Sequence, residues 1–285
     1  MRGLKAFLAL VAALALAPAA RAADPVLTEP SDLVPGHPGV TWLDLLKQEI
    51  PDLAPNAANK DIEGHLAGPL PHVEGKTYQS DPPDPVVLSY VDNLRIHAGG
   101  KPYIVVIADL GQAEDSAQST TLLALYDDAP TPKLLDAVDV GLDKDTGFDD
   151  HDLLPLGPGD DAVVTYSEHF NSDQSYQGRL LLFVRSGHFR VIAHVFTLSD
   201  RGCGYDRDEV PTLTTRPDAV SPYRQVDLVI TETLKRTDED CSDDVVPGPY
   251  TRSFHASYRW DADKSQWDAD EAGLGRLDKE NEARF

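Results

Sequence analysis

The chain is short of basic residues. Its 285 residues include 25 lysines and arginines against 48 aspartates and glutamates, which gives a formal net charge of −23. Sequence-independent binding to nucleic acid needs Lys and Arg side chains that displace counterions from phosphates, so this composition argues against a nucleic-acid partner. Docking on anionic lipid is disfavoured for the same reason. Because 41% of the residues are hydrophobic, we still expect a folded chain with a packed core.

Recognisable catalytic motifs are lacking as well. The sequence has no G-x-S-x-G elbow, no H-E-x-x-H motif, no P-loop and no dinucleotide-binding glycine fingerprint. These absences lower the expectation of an enzyme without abolishing it.

Cysteine is scarce, since only Cys203 and Cys241 are present. In an exported protein, a lone pair is typical of one disulfide. The alternative is a redox or metal-binding pair, but the spacing is not C-x-x-C, and two cysteines cannot complete a structural zinc site without histidines from elsewhere. We therefore predict a disulfide between these two residues.

The N-terminus has the layout of a secretory signal peptide. Arg2 and Lys5 precede an apolar run over residues 7–16, and residues 20–22 place alanines at positions −3 and −1 of a cleavage site. The apolar run is shorter than the roughly 20 residues that span a bilayer, which disfavours a membrane anchor. Cleavage after Ala22 removes three basic residues and no acidic residue, so the net charge changes from −23 to −26. We predict a periplasmic or secreted protein with no membrane anchor after cleavage.

Composition divides the rest of the chain into three segments. Residues 23–85 form an irregular lead-in rich in Pro, Gly and Asn, and within it residues 41–50 fit a short amphipathic helix with Thr41 as its N-cap. Residues 86–268 show a hydrophobic period of two, which indicates strands, and Gly99 with Gly100 between two such runs predicts a hairpin turn. Residues 269–285 form a charged C-terminal tail that fits a short exposed helix.

The strand-rich segment repeats its own pattern. Residues 122–126 are echoed at 180–184, 58 positions later, and a third, looser copy starts at Tyr223. Each unit reads as a strand, a polar connection and a hairpin, which indicates repeated β-meander units. The alternative is three ordinary meanders that share β-propensity. The expected fold is all-β and mainly antiparallel, either propeller-like or a two-sheet sandwich, with a short N-terminal helix.

Residues 99–268 resemble the FG-GAP or VCBS-type repeats of secreted bacterial β-propeller proteins. The shared feature is a turn that leads into a strand of the Asp-Leu-Val-Val type, as at residues 227–230, with a period near 60. The resemblance implies propeller blades. The calcium loop typical of those repeats is missing before each strand, however, and three or four copies are few for a closed propeller.

Two polar patches are candidate sites. The first surrounds Gly147 and is extended by Asp150, His151 and Asp152. Carboxylates at alternate positions around a glycine turn are what calcium requires. The spacing departs from an EF-hand loop, because Leu154 stands where that loop has its bidentate glutamate. Calcium is the only cofactor that the sequence suggests, and the alternative is a solvated loop. The candidate metal ligands of this patch are Asp139, Asp143, Asp145 and Asp149.

The second patch follows a predicted strand. Its side chains supply donors and acceptors for a polar ligand, or acid–base chemistry, and the alternative is ordinary turn chemistry. The candidate ligand-binding residues are Glu168, His169, Asn171 and Asp173. Farther along, Tyr258, Trp260 and Trp267 lie across a predicted hairpin, where cross-strand packing is the default and an exposed group would stack on sugar rings.

The leading functional prediction is an exported, acidic, non-catalytic β-protein that binds a partner at its loop-rich edge. Its negative charge favours a basic protein or a cation as the partner. The alternative is a metal-assisted hydrolase that uses Glu168, His169 and Asp173, or the patch at residues 139–152.

Overall fold

A computed structural model describes residues 28–76, 78–79, 81–113, 116, 118–149, 153–238, 241 and 246–284. The predicted signal peptide and its cleavage site lie outside the described residues, as do Asp150, His151 and Asp152. Within the described ranges, no helix is both long enough and apolar enough to cross a bilayer.

The fold is mostly antiparallel β-structure, with 55% of the described residues in strands and 6% in helices. The helices are α1 (Trp42–Leu46) and α2 (Leu274–Glu282). The strands, in chain order, are β1 (Ala54–Pro55), β2 (Ile62–Gly64), β3 (Val86–Leu88), β4 (Tyr90–Ala98), β5 (Lys101–Gln112), β6 (Ser119–Asp127), β7 (Leu134–Asp139), β8 (Asp145–Phe148), β9 (Leu154–Gly157), β10 (Asp160–Phe170), β11 (Gln174–Arg185), β12 (His188–Gly202), β13 (Tyr205–Arg216), β14 (Gln225–Arg236), β15 (Tyr250–Asp261) and β16 (Gln266–Asp270). The predicted all-β class, with a short helix near the N-terminus, is confirmed.

The strands form meander sheets. A small sheet contains β1–β3, a second contains β4–β7 in sequence order, and a third has the order β16-β15-β14-β13-β12-β11-β10-β8, with β9 also paired with β10. Strands β12 and β13 pair only beside their hairpin, over residues 200–202 and 205–207. The third sheet therefore opens beyond that hairpin, and the propeller-like, sandwich and repeat interpretations stay predictions.

The sheet of β4–β7 is buried on both faces. One face packs with α1 around Trp42, Leu46 and Tyr126, and the other packs with β10–β12 around Val105 and Leu182. Strand β6 consequently has an uninterrupted buried run instead of an alternating pattern. In contrast, β14 and β15 alternate between buried and more exposed positions, as expected for strands with one covered face.

The predicted turns and the disulfide are present where the residue types require them. Gly99 and Gly100 both have positive φ, 57° and 73°, and form the two-residue turn between β4 and β5. Trp260 on β15 lies opposite Trp267 on β16. Cys203 and Cys241 are bonded, which confirms their prediction.

Three segments differ in detail from the sequence expectation. Helix α1 has the expected N-cap, because the Thr41 hydroxyl accepts from the Asp44 backbone N–H, but it ends at Leu46, where turns lead into Pro51. The lead-in expected to be irregular contains β1 and β2, which pair with β3 of the next segment in the small sheet and are too short to show a period. The charged tail forms α2, and one side of this helix is buried through Leu274 and Leu277.

Candidate functional site

Helix α2 and strand β12 line a cavity of about 530 Å³, which we call the acidic cavity. Leu274 and Leu277 pack α2 into the core formed by β10–β12 and β14–β15. Residues 271, 275, 278 and 282 follow the spacing of one helical face. The residues that line the cavity are Tyr78, His194, Phe196, Glu271, Leu274, Gly275, Asp278 and Glu282.

The position of α2 is fixed by close backbone approach at its start. Gly273 precedes the helix, and a Cβ atom at this position would lie 2.5 Å from the His255 carbonyl oxygen and 2.9 Å from its nitrogen. Any larger residue would push the helix away from β15. The glycine therefore allows the start of α2 to lie close against β15.

The other end of α2 is held by a buried ionic network. Arg284 donates to Glu209 at 3.0 Å and to Glu232 at 3.1 Å, and neither carboxylate is exposed. Glu209 also accepts from the Asn281 side chain at 3.0 Å and from the Leu198 backbone N–H at 2.9 Å. Because Leu198 belongs to β12, Glu209 joins α2 to β12 where β12 and β13 have separated.

Three carboxylates of the acidic cavity, Glu271, Asp278 and Glu282, have no ion-pair partner in the described part of the chain. In contrast, Glu280 of the same helix contacts Arg252 and Arg284. Partial burial raises the pKa of Asp278 and the charges of Glu271 and Glu282 raise it further, whereas His194 acts in the opposite direction. The cavity thus holds like charges that repel one another, and a bound cation would relieve this repulsion.

Aromatic rings form the rest of the cavity wall. The Tyr78 ring lies 5.5 Å from the His194 ring and 5.6 Å from the His72 ring, measured between centroids. Burial lowers the pKa of His72, which keeps this imidazole neutral near pH 7. The His194 Nδ1 atom lies 3.1 Å from a carboxylate oxygen of Glu74. Aromatic faces beside carboxylates suit an organic cation.

The four candidate metal ligands are not brought together. Asp139 is buried and accepts from the backbone N–H groups of Thr121 and Gly141, and burial raises its pKa to about 6. Asp145 is exposed on β8, and Asp149 accepts from Arg179 at 2.8 Å. The described residues contain no group of three or more His, Cys, Asp or Glu side chains that fits a metal ion. The described carboxylates of this patch thus have separate surroundings, and calcium binding stays a prediction.

Members of the two predicted patches meet, because His169 Nδ1 lies 2.9 Å from an oxygen of Asp143. Glu168 instead accepts from Gln177 at 3.0 Å. Among the described residues, no serine, threonine or cysteine forms a hydrogen bond with His169, so this histidine–carboxylate pair has no nucleophile beside it.

The other two members of the second patch lie at the turn between β10 and β11. The Asn171 side chain accepts from the backbone N–H groups of Asp173 and Gln174, at 3.1 and 2.9 Å. Asn171 and Asp173 also line a cavity of about 270 Å³ beside the exposed Phe170, and Glu168 and His169 do not line it. The four residues of the second patch therefore do not form one site. Asn171 shapes the turn, and Glu168 and His169 lie outside the cavity that Asn171 and Asp173 line.

The acidic cavity was missed at the sequence level. The spacing of Glu271, Asp278 and Glu282 was readable as one helical face, but Tyr78 and His194 come from segments far apart in the chain. Comparisons of the chain with protein-family models, with curated proteins and with solved structures give no match.

Proposed function

We propose that this chain is an exported, non-catalytic binding module whose acidic cavity receives a cationic group of a basic partner. One cavity combines the aromatic rings of Tyr78 and Phe196 with three carboxylates that have no ion-pair partner among the described residues. This combination is the observation that carries the proposal. A lysine or arginine side chain of a basic protein has the charge and the length to enter it.

The electrostatics favour this class of partner at two ranges. The net charge of −23 attracts basic molecules toward the protein over a long distance. Inside the cavity, a cation would offset the repulsion between Asp278 and its two neighbouring carboxylates and would contact the Tyr78 ring. Such cation–π contacts contribute roughly 0.5–2 kcal/mol, depending on desolvation. The volume also falls in the usual range of ligand sites, about 300–1,000 Å³.

Export is part of the same proposal. The signal-peptide layout of residues 1–22 and the bond between Cys203 and Cys241 both suit an oxidising compartment outside the cytoplasm. A periplasmic or secreted location would bring the acidic cavity into contact with basic envelope or extracellular proteins.

The test is a calorimetric titration of the mature chain with trilysine, and with trilysine whose amines are acetylated. The site variant carries Glu271→Gln, Asp278→Asn and Glu282→Gln. The control variant carries Asp263→Asn, Asp268→Asn and Asp270→Asn, which remove the same charge from the exposed β15–β16 hairpin. We expect the site variant to bind trilysine at least about tenfold more weakly, the control to change less than about twofold, and the acetylated peptide not to bind. Equal losses in both variants would show attraction by net charge alone and would overturn the proposal.

One observation favours the alternative of a metal-assisted hydrolase, namely the contact between His169 and Asp143. Glu168 and Asp173 have other partners, however, and the described residues bring no third metal-ligating side chain to that pair. Binding is therefore the better-supported function. His169→Gln should leave trilysine binding unchanged. A loss of trilysine binding in this variant would instead place the binding site at the His169 patch.

A further inference from the structure

A second cavity, of about 580 Å³, lies beside the β15–β16 hairpin and differs in character from the acidic cavity. We call it the arginine–tryptophan cleft. Its wall combines aromatic rings with two guanidinium groups and one amide. The residues that define it are Phe183, Arg185, Arg190, Trp260, Gln266 and Trp267.

The aromatic side of the cleft is a packed group of rings. The centroids of Trp260 and Trp267 are 5.9 Å apart, and Phe183 lies 5.9 Å from Trp260 and 5.8 Å from Trp267. All three pairs meet edge to face, an arrangement that holds rings in fixed positions. Tyr258, which the sequence grouped with the two tryptophans, is fully buried and does not line the cleft. The cleft therefore has a rigid apolar wall.

The polar side of the cleft contains hydrogen-bond donors that have no acceptor among the described residues. The Arg185 guanidinium lies 4.4 Å from the centre of the Trp260 ring and donates from Nη2 to Ser265 at 3.3 Å. The buried Nη1 atom of Arg185 and the buried Nε1 atom of Trp267 meet no hydrogen-bond acceptor among the described residues. Buried donors without an acceptor are unfavourable and are normally satisfied in proteins.

The arginines of the cleft also lack counter-charges. Neither Arg185 nor Arg190 has a carboxylate of a described residue within 4 Å, although acidic residues outnumber basic ones by 48 to 25. Glu74, the acidic residue at the cleft wall, is in contact with His194 instead. A guanidinium presents a planar fork of donors that matches a carboxylate. In a protein this acidic, two arginines without a counter-charge beside one cavity point to an anion that comes from outside.

We propose that the arginine–tryptophan cleft binds a small organic monocarboxylate with an apolar body. The carboxylate lies toward Arg185 and Arg190, and the apolar body contacts Phe183, Trp260 and Trp267. Three aromatic rings form one side of the wall, and a small inorganic anion would leave them uncovered. The strongly negative chain repels multiply charged anions more than singly charged ones, which favours a monoanion. This site is separate from the acidic cavity and takes a ligand of opposite charge.

Intrinsic fluorescence provides the readout, because two of the three tryptophans form the cleft and the third, Trp42, is buried against the β4–β7 sheet. The mature chain is titrated with 3-phenylpropionate, with the uncharged 3-phenylpropanamide, and with acetate. We expect saturable binding of 3-phenylpropionate, binding of the amide that is at least about tenfold weaker, and no measurable response to acetate. No saturable change with 3-phenylpropionate, or equal binding of acid and amide, would overturn the proposal.

Variants of matched charge locate the site. Arg190→Gln removes an exposed side chain and should leave the fold intact, and Arg185→Gln removes the guanidinium over Trp260. The control is Arg276→Gln, because Arg276 lies 5.1 Å from the Phe254 ring and outside the cleft. We expect each cleft variant to bind 3-phenylpropionate at least about tenfold more weakly and the control to bind as the wild type does. An equal loss in Arg276→Gln, or unchanged binding in Arg190→Gln, would contradict the site. Trilysine binding in Arg190→Gln should match the wild type, so failure here and failure of the acidic cavity are distinguishable.

Discussion

Replacement of Glu232 by glutamine tests the ionic network that holds α2 in place. Glu232 is fully buried and accepts from Arg252 through Nε and Nη2, both at 3.0 Å, from Arg284 at 3.1 Å and from the Tyr250 hydroxyl. Glutamine has nearly the same shape, but it carries no charge and offers one acceptor oxygen in place of two. Its amide N–H groups would face guanidinium donors.

The cost of Glu232→Gln can be worked out in two ways. Removal of one partner from a buried ion pair costs about 3–5 kcal/mol, and the lower end applies because Arg284 keeps Glu209 and Arg252 keeps Glu280. Independently, the hydrogen bonds from the arginines and Tyr250 outweigh burial and hold the pKa of Glu232 at about 2, against an ordinary value of 4.5. A shift of this size corresponds to about 3 kcal/mol.

The pKa of Glu232 also fixes the pH window of the effect. Because the folded-state pKa lies below the unfolded value, the carboxylate stabilises the fold fully above about pH 4.5, and this contribution is lost as the pH falls toward 2. Glu209 acts in the opposite direction, since burial raises its pKa, but it is present in both proteins and largely cancels in their difference. The gap between wild type and Glu232→Gln should therefore be about 3 kcal/mol near pH 7 and less than about 1 kcal/mol near pH 2.5.

The assay is urea unfolding, followed by far-UV circular dichroism and tryptophan fluorescence, near pH 7 and near pH 2.5. Asp268→Asn is the control, because its contact with Lys264 is exposed and should contribute less than about 1 kcal/mol. A destabilisation below about 1 kcal/mol for Glu232→Gln near pH 7 would refute the role of the network. So would a destabilisation of the same size at both pH values.

Three further changes have defined outcomes. The double variant Cys203→Ser, Cys241→Ser should lose about 4 kcal/mol of unfolding free energy, because the bond closes a loop with a sequence separation of 38, and a reductant should lower the stability of wild type but not of the variant. Tyr126→Phe should cost about 1–2 kcal/mol in urea unfolding, since the buried hydroxyl donates to the Leu45 carbonyl at 3.0 Å and joins β6 to α1; a cost near zero would contradict that link. Asp139 has a folded-state pKa of about 6, above its ordinary 3.8, so its ionisation weakens the fold as the pH rises through this window. The unfolding free energy of Asp139→Asn should therefore rise by about 3 kcal/mol relative to that of wild type between pH 4 and pH 8. A difference that does not depend on pH would contradict the role of the buried carboxyl.

The features that the sequence predicted correctly depend on local chemistry. The turn at Gly99 and Gly100, the N-cap at Thr41 and the strand period are each encoded within a few residues. The predicted bond between Cys203 and Cys241 followed from the absence of any other cysteine. Such features need no knowledge of how distant segments meet.

The features that escaped prediction depend on distant contacts. The acidic cavity unites Tyr78, His194 and the C-terminal helix, and α2 is fixed by Arg284, whose partner Glu209 lies 75 positions away. The approach of His169 to Asp143 likewise results from the pairing of β10 with β8. Periodicity along one strand carries no information about which strands become neighbours or which faces of them are covered.

Gly275 is a suitable position for a crosslinker that tests whether a basic partner binds in the acidic cavity. This residue lines the cavity, and a Cβ atom added there meets no heavy atom within 4 Å, so the photoreactive residue p-benzoylphenylalanine can replace it. Gly248 has equally open surroundings and is the control position.

The most direct test of the proposed function is photo-crosslinking in the native host, with mass spectrometry of the conjugates. We predict that position 275 captures a protein with a Lys- or Arg-rich segment, that position 248 does not, and that Glu271→Gln, Asp278→Asn and Glu282→Gln together abolish the conjugate. Equal capture from both positions, or a conjugate that survives removal of the three carboxylates, would contradict a cation-binding role for the cavity.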